Sequence, residues 1–275
     1  MNDILEQKVS ERTKELLKSN DELEDMNTEL MQFASVASHD LKEPLRKIHI
    51  FGNIIKDRYL NDNDGAMDYM SRIINSSARM TKLINDLLSY SRLSVTHFFE
   101  HVSLNKIVGE VLSDLELSIQ EKGAKVEVDD LPEIEAVPGQ LRQVLQNIIS
   151  NSLKFTQPGV TPLITVRKAY LTEPSFSAKP AATGDYLRLT LTDNGIGFDE
   201  QYATKIFTIF QRLHSREKYD GTGIGLAITK KIIDRHNGMI AAKSKDGHGS
   251  SFIIILPLKQ EVSVQEVSTS MVSAN

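Results

Sequence analysis

Residues 139–156 read GQLRQVLQNIISNSLKFT, and the interleaving of apolar and polar positions there decides what kind of domain surrounds them. Leu141, Val144, Leu145, Ile148, Ile149 and Ser152 recur at steps of three and four, the spacing that lines one face of an α-helix. Beside that stripe run Asn147, Asn151 and Lys154 at i, i+4 and i+7, so three polar side chains share a second face. An amide oxygen is a hard ligand suited to Mg²⁺, and a lysine next to it can hold a phosphate oxygen, so this face can take a metal nucleotide. Taken alone, the same stripe reads as a solvated helix face.

The flanking sequence alternates short β-rich runs with helices, as an α/β or α+β domain requires. Strands are expected at Lys125–Val128, Leu163–Ala169, Tyr186–Thr192, Met239–Lys243 and Ser251–Leu256. Ser103 is suited to cap a helix through Glu121, with Gly123 just past its end, and TEPSFSAKPAATG at 172–184 has the composition of a surface loop. In DNGIGFD, Asp193 directly follows the run LRLTLT, and Gly195 and Gly197 let backbone approach a ligand. A carboxylate so placed can accept a hydrogen bond from an adenine amino group, although a tight turn has the same composition. Gly221, Gly223 and Gly225 in GTGIGLAITKKII open an amphipathic helix whose first N–H groups favour phosphate. A dinucleotide-binding G-x-G-x-x-G does not fit, because its third glycine falls on Leu226 or Ile228 and HSREKYD before it is no strand.

Toward the N-terminus the pattern is purely helical. Val9, Leu16, Leu23, Leu30 and Ala37 recur every seven residues, with Leu5, Met26 and Phe33 on a companion seam that Arg12 and Ser19 interrupt. A coiled coil, weak at its start, is expected over 1–30. Leu41, Leu45, Ile48, Gly52 and Ile55 continue one stripe, LNDNDGA at 60–66 marks a turn, and Met70, Ile73, Ile74, Met80, Ile84, Leu87 and Leu88 line a second helix. Residues 31–97 thus read as an antiparallel helical hairpin. Two helices cannot enclose a core, and pairing two such hairpins from two chains into a four-helix bundle is the simplest remedy. Residues 98–258 form the second domain, and 259–275 hold few large apolar groups and read as a mobile tail. His39 in SVASHDLKEPLRKI points about 160° from the stripe centred on Leu41, onto the solvent side. Asp40 follows it, and a carboxylate near one imidazole nitrogen can leave the other free as a nucleophile.

Composition narrows the partners. Apolar residues make up 40% and charged residues 25% of the 275, the balance of a folded globular chain. The net charge of −5, with signs interspersed, lacks the basic stripe that nucleic acid demands. Without cysteine there is neither disulfide nor thiolate metal site, and no apolar run reaches the length of a membrane span. Nor do Met1 to Lys8 look like a signal peptide, so the chain reads as cytoplasmic; a longer protein could be attached to a membrane through a region preceding it.

Several of these segments together resemble one family. SHDLKEPLRKI is similar to the phosphoacceptor box of sensor histidine kinases, and NIISNSLKFT to their asparagine box. DNGIGF, IFTIFQRL and GTGIGLAI, with GHGSSFIIILP behind them, resemble the family's glycine and phenylalanine boxes in order and spacing, over roughly residues 31–258. The resemblance implies a dimeric helical-hairpin domain followed by a GHKL-type α/β sandwich that binds ATP, a fold shared with certain chaperones and topoisomerases. It implies that His39 is the phosphoacceptor and Asp40 its base or orienting group, that Asn151 ligates Mg²⁺, and that Asn147 and Lys154 support metal and phosphates. By the same likeness Asp193 binds adenine, with Gly195, Gly197, Gly221, Thr222, Gly223, Gly225 and Leu226 lining the nucleotide. Phe207 and Phe210 would anchor a lid over Gln211 to Asp220, with Arg212 touching phosphate.

Two positions depart from or qualify the pattern. Related ATPases usually carry a water-activating Glu where this chain has Asn147, and an amide is no general base, so transfer to a protein nucleophile is favoured over hydrolysis. Glu43 stands where many members have Thr or Asn, which speaks against phosphatase activity. The expected partners are a second copy of the chain and a response-regulator receiver domain, and no sensor domain is read in the sequence. An ATP hydrolase of the same fold and a catalytically silent scaffold are the rival readings.

Overall fold

The computed structural model describes residue 13 and residues 41–57, 64–92, 98–213, 219 and 221–260. The heptad positions from Leu5 to Ala37, His39 and Asp40, the residues 214–218 and 220 of the expected lid, and positions 261–275 lie outside the described residues. By contacts the chain divides into two units, residues 1–94 and 95–275. Among the described residues no helix is long and apolar enough to cross a membrane.

In the first unit, helix α1 is described over residues 41–57 and α2 runs Asp64–Arg92. They pack antiparallel. Ser77 Oγ donates to Leu45 O at 2.7 Å, while Gly52, further along α1, faces Ile74 and Met70, earlier on α2. A Cβ at Gly52 would stand 2.9 Å from Ile74 Cγ1, so glycine lets the helices close. Leu45, Ile74 and Leu88 are buried, but Leu41, Ile48, Phe51, Ile55, Ile73, Met80 and Leu87 remain exposed. One hairpin therefore covers only part of its apolar surface.

The second unit is built on a five-stranded sheet in the order β2 (Lys125–Val128), β4 (Leu163–Leu171), β5 (Tyr186–Asp193), β7 (Ser250–Pro257), β6 (Met239–Ser244). Only β2 and β4 pair in parallel. Along β5, Leu187, Leu189, Leu191 and Asp193 are buried and alternate with half-exposed neighbours, so one face of the sheet is covered. The cover consists of α3 (Leu104–Asp114), α5 (Pro138–Lys154) and α6 (Gly225–Arg235), whose Leu104, Leu141, Val144, Leu145 and Ile233 meet Leu189, Ile254 and Leu256 of the strands. A two-stranded ribbon, β1 (Glu100–Ser103) against β3 (Glu133–Ala136), stands beside it.

The expected helix from Ser103 to Glu121 is two helices. Ser103 does cap the first, its Oγ accepting from Lys106 N, but Leu115 (φ −97°, ψ 5°) ends α3 and α4 (Glu116–Lys122) restarts beyond it. Burial explains the break: α3 buries Leu104, Ile107, Val108 and Val111, whereas α4 buries nothing and leaves Leu117 exposed. Gly123 closes α4 in the left-handed conformation, φ 58°. At the far end of the domain Gln260, expected in the tail, is buried; its N–H donates to Glu135 Oε2 at 2.7 Å and its Nε2 to His236 O at 3.0 Å.

Candidate functional site

Helix α5 begins with Pro138 at a position where the missing N–H is harmless, and it buries all six residues of its apolar stripe. Its second face carries Asn147, Asn151 and Lys154, each half-buried. Asn147 Nδ2 donates to Gly225 O at 3.0 Å and lies 3.4 Å from Thr229 Oγ1, so the face is tied to the first turn of α6. Lys154 Nζ sits 4.2 Å from the centre of the Phe155 ring, and a Cβ on Gly221 would come within 2.9 Å of it. The structure thus brings Asn147 and Lys154 against the glycine-rich turn over Gly221, Thr222, Gly223, Gly225 and Leu226, with Asn151 one helical turn beyond Asn147.

Asp193 ends β5 with its side chain buried. Oδ1 accepts from Gly195 N at 2.9 Å and from Ser250 N at 3.2 Å, and Oδ2 accepts from Ser152 Oγ at 3.2 Å. Burial pushes its pKa up, and these three hydrogen bonds only partly counter the shift. Two glycines are required by the crowding around it. Gly197 has φ 65°, and a Cβ there would meet Lys245 O at 2.2 Å; Gly249 has φ 85°, and a Cβ there would meet Asp193 O at 2.0 Å.

Several participants escaped the sequence reading. Ser152 fell in the apolar stripe by spacing, yet its hydroxyl reaches Asp193. Gln157 Nε2 lies 3.2, 2.8 and 2.9 Å from the carbonyl oxygens of Asn194, Gly195 and Gly247, stapling the glycine turn to the β6–β7 loop. A polar residue just past a helix end carries no periodic signal that would single it out. Phe207 and Phe210 do not both act as buried anchors: Phe210 is 60% exposed with φ 64°, and the buried residue of that segment is Ile206. Arg212 donates to the backbone carbonyls of Tyr219 and Gly221, and the Tyr219 ring lies 4.9 Å from that of Phe155. In the first unit Glu43 is exposed and pairs with Lys47 at 2.9 Å.

Residues 136–260 match the family of histidine kinase-, DNA gyrase B-, and HSP90-like ATPases, and residues 29–95 match the His Kinase A (phospho-acceptor) domain. The chain is 36% identical over 238 residues to the phytochrome-like protein Cph1 of Synechocystis sp., which spans 86% of this chain and 30% of that protein. It covers about a third of the length of this and two other curated relatives. Among solved structures, full-length ShkA in complex with AMPPNP shares the fold with a TM-score of 0.62 at 24% identity, over 84% of this chain and 47% of that one. Histidine kinase ThkA in complex with the response regulator protein TrrA does so with a TM-score of 0.54 at 22% identity, over 82% and 61%. A phospho-acceptor hairpin followed by an ATPase domain, in this order and on one chain, makes it a member of the sensor histidine kinases.

Proposed function

We propose that this chain, as a homodimer in the cytoplasm, transfers the γ-phosphoryl group of ATP to its own His39 and passes it on to an aspartate of a response-regulator receiver domain. The observation that carries the reading is the polar face of α5 joined to the glycine-opened α6 through Asn147 and Gly225, in a chain that also holds a phospho-acceptor domain. Asn151 would hold Mg²⁺, whose charge neutralises the phosphates, and the residues fit: an amide oxygen on a half-buried helix face beside Lys154 is a hard, neutral donor set. Asp193 would accept from the adenine amino group, and the N–H groups opening α6 would face phosphate. Arg212 is freed for a phosphate only by giving up its two carbonyl partners.

In the transfer, an imidazole nitrogen of His39 attacks the γ-phosphorus, the bond from that phosphorus to the bridging oxygen breaks, and ADP leaves with the electron pair. Asp40 takes or orients the imidazole proton. Asn147 is no general base, and its amide is already committed to Gly225 O, so hydrolysis is disfavoured. The ThkA complex supports a response regulator as the partner class. The deciding experiment is incubation with γ-labelled ATP: the label is expected on wild-type protein, lost in acid and absent from His39→Gln. Acid-stable label, or label surviving in His39→Gln, would overturn the assignment.

A further inference from the structure

Helices α5 and α6 are pinned to each other at two places. Near the site, Asn147 Nδ2 donates to Gly225 O at 3.0 Å. At the opposite end Val137, the residue before α5, donates its N–H to Nε2 of His236, the residue after α6, at 3.1 Å. Moving forward along α5 therefore means moving backward along α6. Ten residues of helix separate the pins on α5, roughly 15 Å.

His236 is fully buried and takes no part in the phosphoryl transfer described above. Its Nδ1 lies 2.8 Å from Ile232 O, and a carbonyl can only accept, so Nδ1 carries the proton and Nε2 presents the lone pair that Val137 N–H needs. The ring is held from the side by Phe99, edge-on at 5.3 Å, and the His236 carbonyl accepts from Gln260 Nε2. Every polar atom of the residue is thus used in fixing it.

We propose that His236 is a positioning residue for the nucleotide site: through Val137 it sets the axial register of α6 against α5, and with it the placement of the Gly221–Gly225 turn opposite Asn147, Asn151 and Lys154. The proposal rests on reading that face as the Mg²⁺-ATP site. The apolar side chains that seat the two helices on the sheet, among them Leu141, Val144, Leu145 and Ile233, are drawn together by a force with no direction and tolerate small sliding. A hydrogen bond does not, because its strength falls steeply with distance and angle. One pin lies inside the site, where its geometry is what must be kept; the His236 pin lies outside and can keep it.

The test uses the full chain and three forms of it: wild type, His236→Gln and His236→Leu. Glutamine offers an oxygen near the position of Nε2, whereas leucine fills the volume and leaves the buried Val137 N–H unpaired. Mg²⁺-ATP dissociation constants are measured by calorimetry at a temperature where circular dichroism shows each form folded. Leucine is expected to weaken binding about tenfold and glutamine less than about threefold. Should the leucine form not fold, His236→Asn replaces it, since its amide reaches Ile232 O but is a methylene too short for Val137. A purely structural role would lower melting temperature without moving the dissociation constant. Wild-type affinity in the leucine or asparagine form, or equal losses in glutamine and its counterpart, would overturn the proposal, whereas wild-type protein that fails to bind Mg²⁺-ATP would overturn the site reading instead.

Discussion

Asp193 is held at a disadvantage in the folded domain. Burial raises its pKa above the ordinary 3.8 despite the N–H groups of Gly195 and Ser250 and the hydroxyl of Ser152. With the folded value above the unfolded one, the native state binds more protons, so this group removes stability as pH rises from the unfolded value through the folded one. In Asp193→Asn one oxygen could still accept from both N–H groups while the amide nitrogen donates to Ser152. The variant is expected to melt about 2–4 °C higher per kcal/mol regained, yet to lose Mg²⁺-ATP binding. A lower melting temperature in the absence of nucleotide would count against this account. His236 behaves in the opposite sense. Burial lowers its pKa from 6.5, the unfolded state binds more protons below that value, and wild-type stability is expected to fall as pH drops from 7.5 to 5.5. His236→Gln should show less of that fall in urea midpoints over the same range. At Glu43 the exposed pair with Lys47 contributes little to stability, so Glu43→Thr should leave the melting temperature unchanged. The same change should speed dephosphorylation of the cognate regulator, as assayed by loss of label from the phosphorylated receiver.

Elements were legible in the sequence to the degree that one physical signal dominated them. Helix α5 was readable because a long apolar stripe and a polar stripe run together over 17 residues, and β5 and β7 because β-branched and leucine-rich runs adjoin a glycine turn, after β5 and before β7. The ribbon of β1 and β3 was not, since EHVS and EIEA are four residues each and mostly charged or polar, too short for alternation to register. The break at Leu115 was missed because α4 keeps helical composition while losing its buried face. Within the site, Asn147, Lys154 and Asp193 stood out by spacing and position, but Gln157 acts across long sequence separations that no local pattern reveals. Its amide nitrogen faces three carbonyl oxygens, so Gln157→Glu would set a carboxylate against them. That substitution is expected to cost about 2–3 kcal/mol at neutral pH in a denaturant titration, against less for Gln157→Met.

The whole molecule shows the same division between what one chain completes and what it leaves open. Ile73 and Met80 lie seven residues apart on α2 and are 48% and 49% exposed, part of the apolar surface that the hairpin does not cover. If a second hairpin covers it, Ile73→Ser with Met80→Ser should shift the chain toward monomer in sedimentation velocity, with the ATPase unit still binding nucleotide. Monomeric wild-type protein at the same concentration would defeat the dimer reading. The heptads that foretell a coiled coil, and His39 itself, fall outside the described residues, so both expectations rest on the sequence alone. The strand order also has a bearing on how the protein is made. Because β5 lies between β4 and β7, its second edge stays unpaired until Ser250–Pro257 has left the ribosome, more than fifty residues after β5 itself. Until then the nascent chain presents an open, leucine-bearing strand edge, and a stalled or shortened product lacking β7 is expected to be a substrate for chaperones or proteases rather than a partly active kinase.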